Sequence, residues 1–541
     1  MNEWWRGGVI YQIYPRSFQD TNSDGIGDLK GITKRLEYIA ELGVDAVWIS
    51  PIFSSPMKDM GYDISDYTNI DPIFGTLDDF DRLVERSHSL GLKVIIDQVL
   101  SHSSNQHPFF QESRQDKDNS KSDWYVWSDP KEDGSPPNNW LSIFGGPAWE
   151  WEPLRRQYYL HNFLASQPDF NFHNPQVQDW LLSTVRFWLD RKVDGFRLDT
   201  VNYYFHNQKL LDNPPKVSKN IHPPINLYYM QDHRHSINQP ENIEFIERFR
   251  ALLDEYKDRT SVGEISNFKL MALYTEGKKK LHMAYSFELL GPVYTANHFR
   301  QSIEDFLNIT PKGWACWSFS NHDVIRHVSR WIEDINFSNN LAKQAAAILL
   351  SLEGSICLYQ GEELGQLETD LEYGELQDPP GVRFWPENKG RDGCRTPMIW
   401  NRNLPNGGFS EKEPWLPVKK LQLSHDVKTQ DGSPSSVLSF YRSMMEFRKD
   451  RKELQLGSTL FHDVLEPLLA FSRKYEETTL LCLFNLSLKK FSIKLKDIRT
   501  IPHSPSLSAK VTKNKLSIGH YGFIFLKVTG EKPFVLDQSP T

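Results

Sequence analysis

The chain has 541 residues, more than one ordinary hydrophobic core organises, so two or three domains with one large member are expected. Its formal net charge is -8 and its basic residues form only short runs such as Gly277 to Lys280, which argues against a nucleic-acid partner. The 4 cysteines, Cys316, Cys357, Cys394 and Cys482, are scattered without a CxxC spacing, so neither a disulfide framework nor a zinc site is indicated and a reducing compartment is expected.

The opening segment, MNEWWRGGVIYQIYP, has no basic start, sustained apolar core or small-residue cleavage site, and a cytoplasmic protein is expected. No apolar run approaches the roughly 18 residues of a membrane span. The nearest, Ala345 to Leu352, ends at Glu353 and Gly354.

Short β-branched runs then alternate with helical patterns. The first strand is expected over Val9 to Tyr14, and a helix over Leu29 to Glu41 follows it, with Asp28 as its cap and Gly43 near its end. Strand Ala46 to Ser50, helix Leu77 to Leu90 and strand Val94 to Val99 continue the rhythm. Helix Pro175 to Asp190, strand Gly195 to Asp199, helix Glu241 to Tyr256 and strands Ser261 to Glu264, Met283 to Phe287 and Ala315 to Phe319 come next. Helix Leu341 to Leu352 and strand Ile356 to Tyr359 complete the series. Eight such strands favour a closed (β/α)₈ TIM barrel over an open sheet, so the fold class is α/β.

Two stretches interrupt the barrel, which is expected over residues 1–103 and 173–457. Residues 104–172 are rich in Trp, Pro, Asn and Gly and too long for a loop, so they are expected to form an inserted subdomain over the barrel mouth, after the third strand. An irregular excursion at about 365–430 precedes a helix near Ser435 to Lys449. The alternation in LLAFSRKYEETTLLCLFNLS and KFSIKLKDI marks a C-terminal antiparallel β domain, of sandwich type, over 458–541.

In such a barrel, acidic residues at the C-terminal ends of strands are candidates for chemistry. VDGFRLDTV places Asp199 there, with Arg197 two residues earlier on the same side of the strand, where a guanidinium favours the ionised carboxylate a nucleophile needs. RTSVGEIS places Glu264 at the next strand end, after an apolar run whose burial would keep it protonated. WSFSNHDVIR places His322 and Asp323 after the seventh strand. Each alone is more often a helix cap than a catalyst. A pair of carboxylates in opposite protonation states, however, is what glycosidic cleavage by double displacement requires.

GVIYQIYPRSF, DGIGDLKGI, GYDISDY, DQVLSH, DGFRLD, Gly263-Glu264, SNHD, YQGEELG and GRDGCRTPM occur in this order, and with them the whole chain resembles the α-amylase superfamily, in its α-glucosidase and oligo-1,6-glucosidase branch. The resemblance implies Asp199 as nucleophile, Glu264 as general acid/base and Asp323 as a third carboxylate that holds sugar hydroxyls. It makes His102, Arg197 and His322 contacts to the sugar or the nucleophile. Asp59 and Arg395 would clamp the non-reducing glucose as a pair closing the far end of the pocket, and Tyr62 would stack under its apolar face. Ser101 departs from the usual DxVxNH, where Asn is common, and leaves the hydrogen bonding behind His102 open. Thr200, the residue after the nucleophile, is similar to α-1,4-preferring members, whereas Val there is similar to α-1,6-preferring ones. The stretch Val201 to Gln239 is expected to cap the acceptor side. The implied activity is that of a retaining, exo-acting α-glucosidase on short α-glucosides such as maltose or sucrose, with glucosyl transfer to acceptors, in a monomer or homodimer. The alternatives are a disaccharide isomerase, of sucrose isomerase or trehalose synthase type, and a non-catalytic carbohydrate-binding relative. The first lacks its RLDRD-like signature here; the second would have lost the carboxylates.

The stretch QDTNSDGIGDL supports three readings. Asp20, Asn22, Asp24 and Asp28 fall at loop positions one, three, five and nine, with Gly25 at six and the Ile26 carbonyl at seven, which suits a hard cation. Gly31 stands where an EF-hand has its bidentate Glu, so a full EF-hand is excluded, and a turn held by Asx hydrogen bonds stays open beside a metal loop. The resemblance implies a structural Ca²⁺ or Mg²⁺. A dinucleotide site is rejected, since Asp28 would face the pyrophosphate and the third glycine is out of register. No organic cofactor is expected.

Overall fold

The computed structural model describes residues 3–217, 223–265, 267–513, 515–529 and 534–540. Eight parallel strands carry the architecture: β1 (Val9–Ile13), β2 (Ala46–Ile49), β3 (Lys93–Gln98), β4 (Gly195–Leu198), β5 (Thr260–Glu264), β6 (Met283–Tyr285), β7 (Cys316–Trp317) and β8 (Ser355–Tyr359). Hydrogen bonding runs β6-β5-β4-β3-β2-β1-β8-β7, and the parallel bridge Ala284↔Ala315 joins the two ends into a nearly closed barrel. The strands are buried on both faces, which is why they read as continuous apolar runs. Alternate residues divide between two cores. Ile10, Trp48, Ile95, Val262, Met283, Tyr285, Cys316 and Cys357 fill the barrel, while Val9, Tyr11, Val47, Ile49, Val94 and Ile96 pack outward against the helices.

The helix Leu29–Leu42 starts where Asp28 accepts the Gly31 N–H and ends where Gly43, at φ 94°, turns left-handed without a side chain to clash. Leu77–Ser89 opens on a reciprocal pair, Thr76 and Asp79, and Pro175–Asp190 on an Asn174 cap with proline in the first turn. Several helices go beyond those expected, two of them between β5 and β7. Ala296–Ile309 buries Phe299, Ile303 and Phe306, spaced four and three residues apart. Phe268–Thr275 is short and lacks a clear apolar stripe.

Between β3 and Pro175–Asp190 lie the helix Pro108–Ser113 and a small antiparallel sheet in the order Trp127–Ser128, Gln157–Leu160, Trp149–Glu152. The bridge His102↔Asp169 ties this stretch to the segment just past β3, and the bridge Tyr125↔Phe170 is internal to it. The C-terminal strands from Ser458 onward form one eight-stranded antiparallel sheet, organised on the long strand Lys515–Val528. Its alternation is as expected: Leu469, Phe471, Leu480, Phe484, Phe523 and Phe525 join the barrel core, and Leu468, Leu481, Leu483, Ile493 and Leu516 form a second core on the other face. Phe440 meets Phe523 at 5.5 Å and Phe447 meets Phe525 at 5.1 Å across the junction. All 4 cysteines are free and buried. Among the described residues no helix is long and apolar enough to cross a membrane.

Candidate active site

The strand ends converge on Arg197, which is 1% exposed and points into the barrel mouth from β4. Its Nη1 lies 2.8 Å from Asp97 Oδ1, at the end of β3, and 2.7 Å from Asp199 Oδ1, one residue past β4. Its Nη2 lies 2.7 Å from Glu264 Oε1, the last residue of β5. Thr200 ties the other two oxygens: its hydroxyl donates to Asp199 Oδ2 and its N–H to Glu264 Oε2, each at 3.1 Å. A β-branched residue at φ 39° is strained, and the two bonds hold it there. The two carboxylates are therefore clamped face to face by one guanidinium and one residue.

Burial is the largest influence on both acids. It pushes Glu264 up to about 7, against the pull of Arg197 and with Asp199 and Asp323 adding to the rise. Asp199 is also pushed up by burial, to about 6, with Arg197 opposing. Arg197 favours the ionised form of Asp199, as expected of a guanidinium beside it, but it is divided among three carboxylates and does not outweigh desolvation. Asp323 is the third carboxylate. Burial works against its charge, but Arg391 and Arg395, both bonded to it, hold it well below the usual range.

Around this centre, Tyr62 lies parallel to the His322 ring at 5.4 Å between centroids, and its hydroxyl reaches His322 Nε2 at 2.5 Å and Asp97 Oδ2 at 3.2 Å. Gln12 Nε2 holds His322 Nδ1 from the other side at 2.7 Å. Burial lowers His102 to about 4 and His322 to about 3, so both rings are neutral. Ser101, the departure from the usual motif, fills its place: its hydroxyl meets His102 Nδ1 at 2.9 Å and Thr200 Oγ1 at 3.2 Å.

A second cluster adjoins this centre through Asp323. Asp59 Oδ1 accepts from Arg391 Nη2 at 2.8 Å, and Gln167 Nε2 donates to Asp59 Oδ2 at 3.1 Å. The expected pairing of Asp59 with Arg395 is corrected here. Arg395 donates instead to Asp323 Oδ1 at 2.9 Å and to the His322 carbonyl at 2.7 Å. The two arginines flank the single turn Asp392–Arg395, and the one nearer its start reaches Asp59 while its guanidinium also meets Asp378 and lies 5.0 Å over Phe144.

Residues 12–457 match the model of the α-amylase catalytic domain. The chain belongs to the α-amylase family. Within it, the α-amylase-family chain falls in the α-glucosidase and oligo-1,6-glucosidase branch. It is 55% identical over 494 residues to a probable α-glucosidase of Rhizobium meliloti (strain 1021), covering 90% of each chain. It is 37% identical over 529 residues to an oligo-1,6-glucosidase of Heyndrickxia coagulans, covering 90% of this chain and 93% of that one. Among solved structures, the α-glucosyl transfer enzyme XgtA superposes with a TM-score of 0.92 at 49% identity over 98% of this chain and 100% of that chain. The trehalulose synthase MutB of Pseudomonas mesoacidophila MX-45 follows at 0.88 and 32%, over 97% and 99%. These likenesses make the family member a glycoside hydrolase.

Several site residues of this family member escape sequence reasoning. Arg391 is one, although it stands four residues before Arg395 in the same GRDGCRTPM motif. Gln167 and Tyr285 are others; Tyr285 ends β6, a position at which a strand-end polar group is a candidate by the same rule that found Glu264. In the stretch expected to cap the acceptor side, Tyr203 and Tyr228 share a hydroxyl contact at 2.8 Å, while residues 218–222 lie outside the described residues. The Asp20 to Asp28 loop is knit by Asx turns. Asp20 accepts from the N–H groups of Asn22, Ser23 and Gly25 and from the Ser410 hydroxyl; Asp24 accepts from Ile26 N–H, and Asp28 from Thr21 and Gly31. The oxygen donors suit a hard cation in kind. Among the described residues, however, no three of His, Cys, Asp or Glu gather as a metal would need.

Proposed function

We propose that this chain is a retaining, exo-acting α-glucosidase that removes terminal non-reducing glucosyl residues from short α-glucosides by double displacement. The observation that carries the reading is the clamp of Asp199 and Glu264, each 2.7 Å from one terminal nitrogen of Arg197 and both tied to Thr200. It suits the separation of about 5 Å that a retaining pair needs, rather than the wider gap that admits a water. Asp199 attacks the anomeric carbon while Glu264 protonates the departing oxygen. Glu264, now a carboxylate, then draws a proton from water or from an acceptor hydroxyl, which opens the glucosyl–Asp199 ester. Transfer competes with hydrolysis at this second step. Asp323 binds sugar hydroxyls beside the neutral His322, His102 and Arg197 line the nucleophile's side, Tyr62 offers its face to the ring, and Arg395 orients Asp323. The Asp59–Arg391 pair under Phe144 favours a closed pocket end and hence cleavage from a chain end. Thr200 supports α-1,4 preference. The isomerase reading keeps the same first step and differs in recapture of the released sugar.

The test is proton NMR of 4-nitrophenyl α-glucoside hydrolysis, in which all the glucose comes from the glycosyl half, with product analysis and initial rates on maltose, isomaltose and sucrose beside it. The expected first product is α-glucose; release of β-glucose rejects the mechanism, and a mixture dominated by isomerised disaccharide favours the isomerase.

A structural Ca²⁺ or Mg²⁺ in the Asp20 to Asp28 loop belongs to the same reading, with Asp20, Asn22, Asp24, Asp28 and the Ile26 carbonyl as donors, and no catalytic step passes through it. A Tm unchanged by exhaustive EDTA treatment and by added Ca²⁺ would count against that ion.

A further inference from the structure

Arg197 has five N–H donors, and the site uses them unevenly. Nη1 serves two carboxylates, Asp97 and Asp199. The opposite edge, the fork of Nε and Nη2, serves a neutral group: both nitrogens donate to the hydroxyl of Tyr285, at 3.2 and 2.8 Å. That hydroxyl donates its own proton to Glu264 Oε1 at 3.0 Å. Nη2 also approaches Oε1 to 2.7 Å, while its hydrogen bond goes to the tyrosine. A guanidinium fork is where a carboxylate binds in a bidentate manner, the pairing that most favours its ionised form.

We infer that Tyr285 is a positioning residue that plugs the Nε–Nη2 fork of Arg197, so that Glu264 touches the guanidinium at Nη2 alone and cannot enter the fork as a bidentate carboxylate. The inference rests on the roles proposed for Asp199 and Glu264. Among the described residues, Oε1 takes the Tyr285 proton and Oε2 accepts the Thr200 N–H, so the acid's own proton belongs on Oε2. The phenol suits this position because it stays neutral and fixed: it is 3% exposed, burial pushes its pKa well above the usual tyrosine value, and its ring packs on Trp48 at 6.3 Å. The groups facing Glu264 are Arg197 from β4, Asp199 and Thr200 beyond it, Asp97 from β3, Asp323 beyond β7, Tyr285 from β6 and Tyr203. Arg197 is the one cation among them, so how fully Glu264 can engage its fork decides how readily that acid keeps its proton.

Tyr285→Phe removes one oxygen and keeps the ring, and an unchanged Tm checks the fold. With the fork vacated, Glu264 enters it and is held as a carboxylate. The expected result is a basic limb of kcat/KM moved down by about one pH unit, with maltose turnover lowered on the order of tenfold or more. Turnover of 4-nitrophenyl α-glucoside, whose leaving group needs little proton help, is expected to fall several-fold less. A basic limb that stays or moves up, or equal losses on the two substrates, overturns the inference. Glu264→Gln run in parallel separates the two levels. If that variant turns over maltose at the wild-type rate, the proposed roles fail; if it does not and Tyr285→Phe leaves the basic limb in place, only the role of the fork fails.

Discussion

Asp199→Asn is expected to lower kcat by a factor on the order of 10⁵ on maltose and on 4-nitrophenyl α-glucoside alike, equivalent to about 7 kcal/mol of lost transition-state stabilisation. The losses should match because the first covalent bond is formed by this carboxylate whatever the leaving group. Stability should respond differently. Asp97, Asp199, Glu264 and Asp323 crowd one buried region, and three of them share Arg197. Replacing one by a neutral isostere relieves repulsion and desolvation while Asp97 still pairs the guanidinium, so the Tm should hold or rise slightly. Measuring both in one preparation separates a lost nucleophile from a lost fold. Activity within tenfold of wild type would remove Asp199 from the mechanism, and a large fall in Tm would recast it as a structural ion-pair partner.

The reason these residues are legible in the chain lies in the barrel itself. Continuous apolar runs place strand ends, and strand ends place Asp199 and Glu264, with Asp323 in the segment that follows β7, so local pattern goes far toward bringing distant carboxylates together. What the pattern leaves open depends on how irregular segments dock. Which arginine meets Asp59 is decided by the packing of the excursion that carries Arg391, where Gly145 and Gly146 leave room for Arg383 and Phe384: a Cβ at Gly145 would stand 2.6 Å from the Phe384 ring. No local periodicity encodes that approach. The ionisation of Asp199 is hidden for a related reason, since sequence shows its neighbour Arg197 but neither the depth of burial nor the rival carboxylates that divide the same cation. Tyr285 sits at a readable strand end, but its partner is set by the orientation of a side chain two strands away. The Asp20 to Asp28 loop is ambiguous at its root. The alternating oxygens that would wrap a cation are the same ones that cap backbone amides in Asx turns.

Glu264→Gln should divide the two substrates that Asp199→Asn treats alike. An amide cannot protonate the departing sugar oxygen, so kcat on maltose is expected to fall about 10³-fold. A nitrophenolate leaves without that help, and the first step should proceed with far less loss. The glucosyl-enzyme then accumulates, because no base draws the proton from water, and a burst of nitrophenol followed by slow turnover should appear. Azide, an anion that needs no deprotonation, should speed the slow phase and yield α-glucosyl azide with the configuration kept. The pH dependence follows from the same pair. Asp199 must be ionised and burial pushes it up to about 6, so wild-type kcat/KM falls as pH drops through that value. Glu264 must be protonated and burial pushes it up to about 7, so activity falls again as pH rises through it. The wild-type profile is therefore a narrow bell. In Glu264→Gln, assayed on 4-nitrophenyl α-glucoside, the basic limb should vanish while the acid limb near 6 stays. A basic limb that persists in this variant would assign it to another group and leave Glu264 without its proposed role.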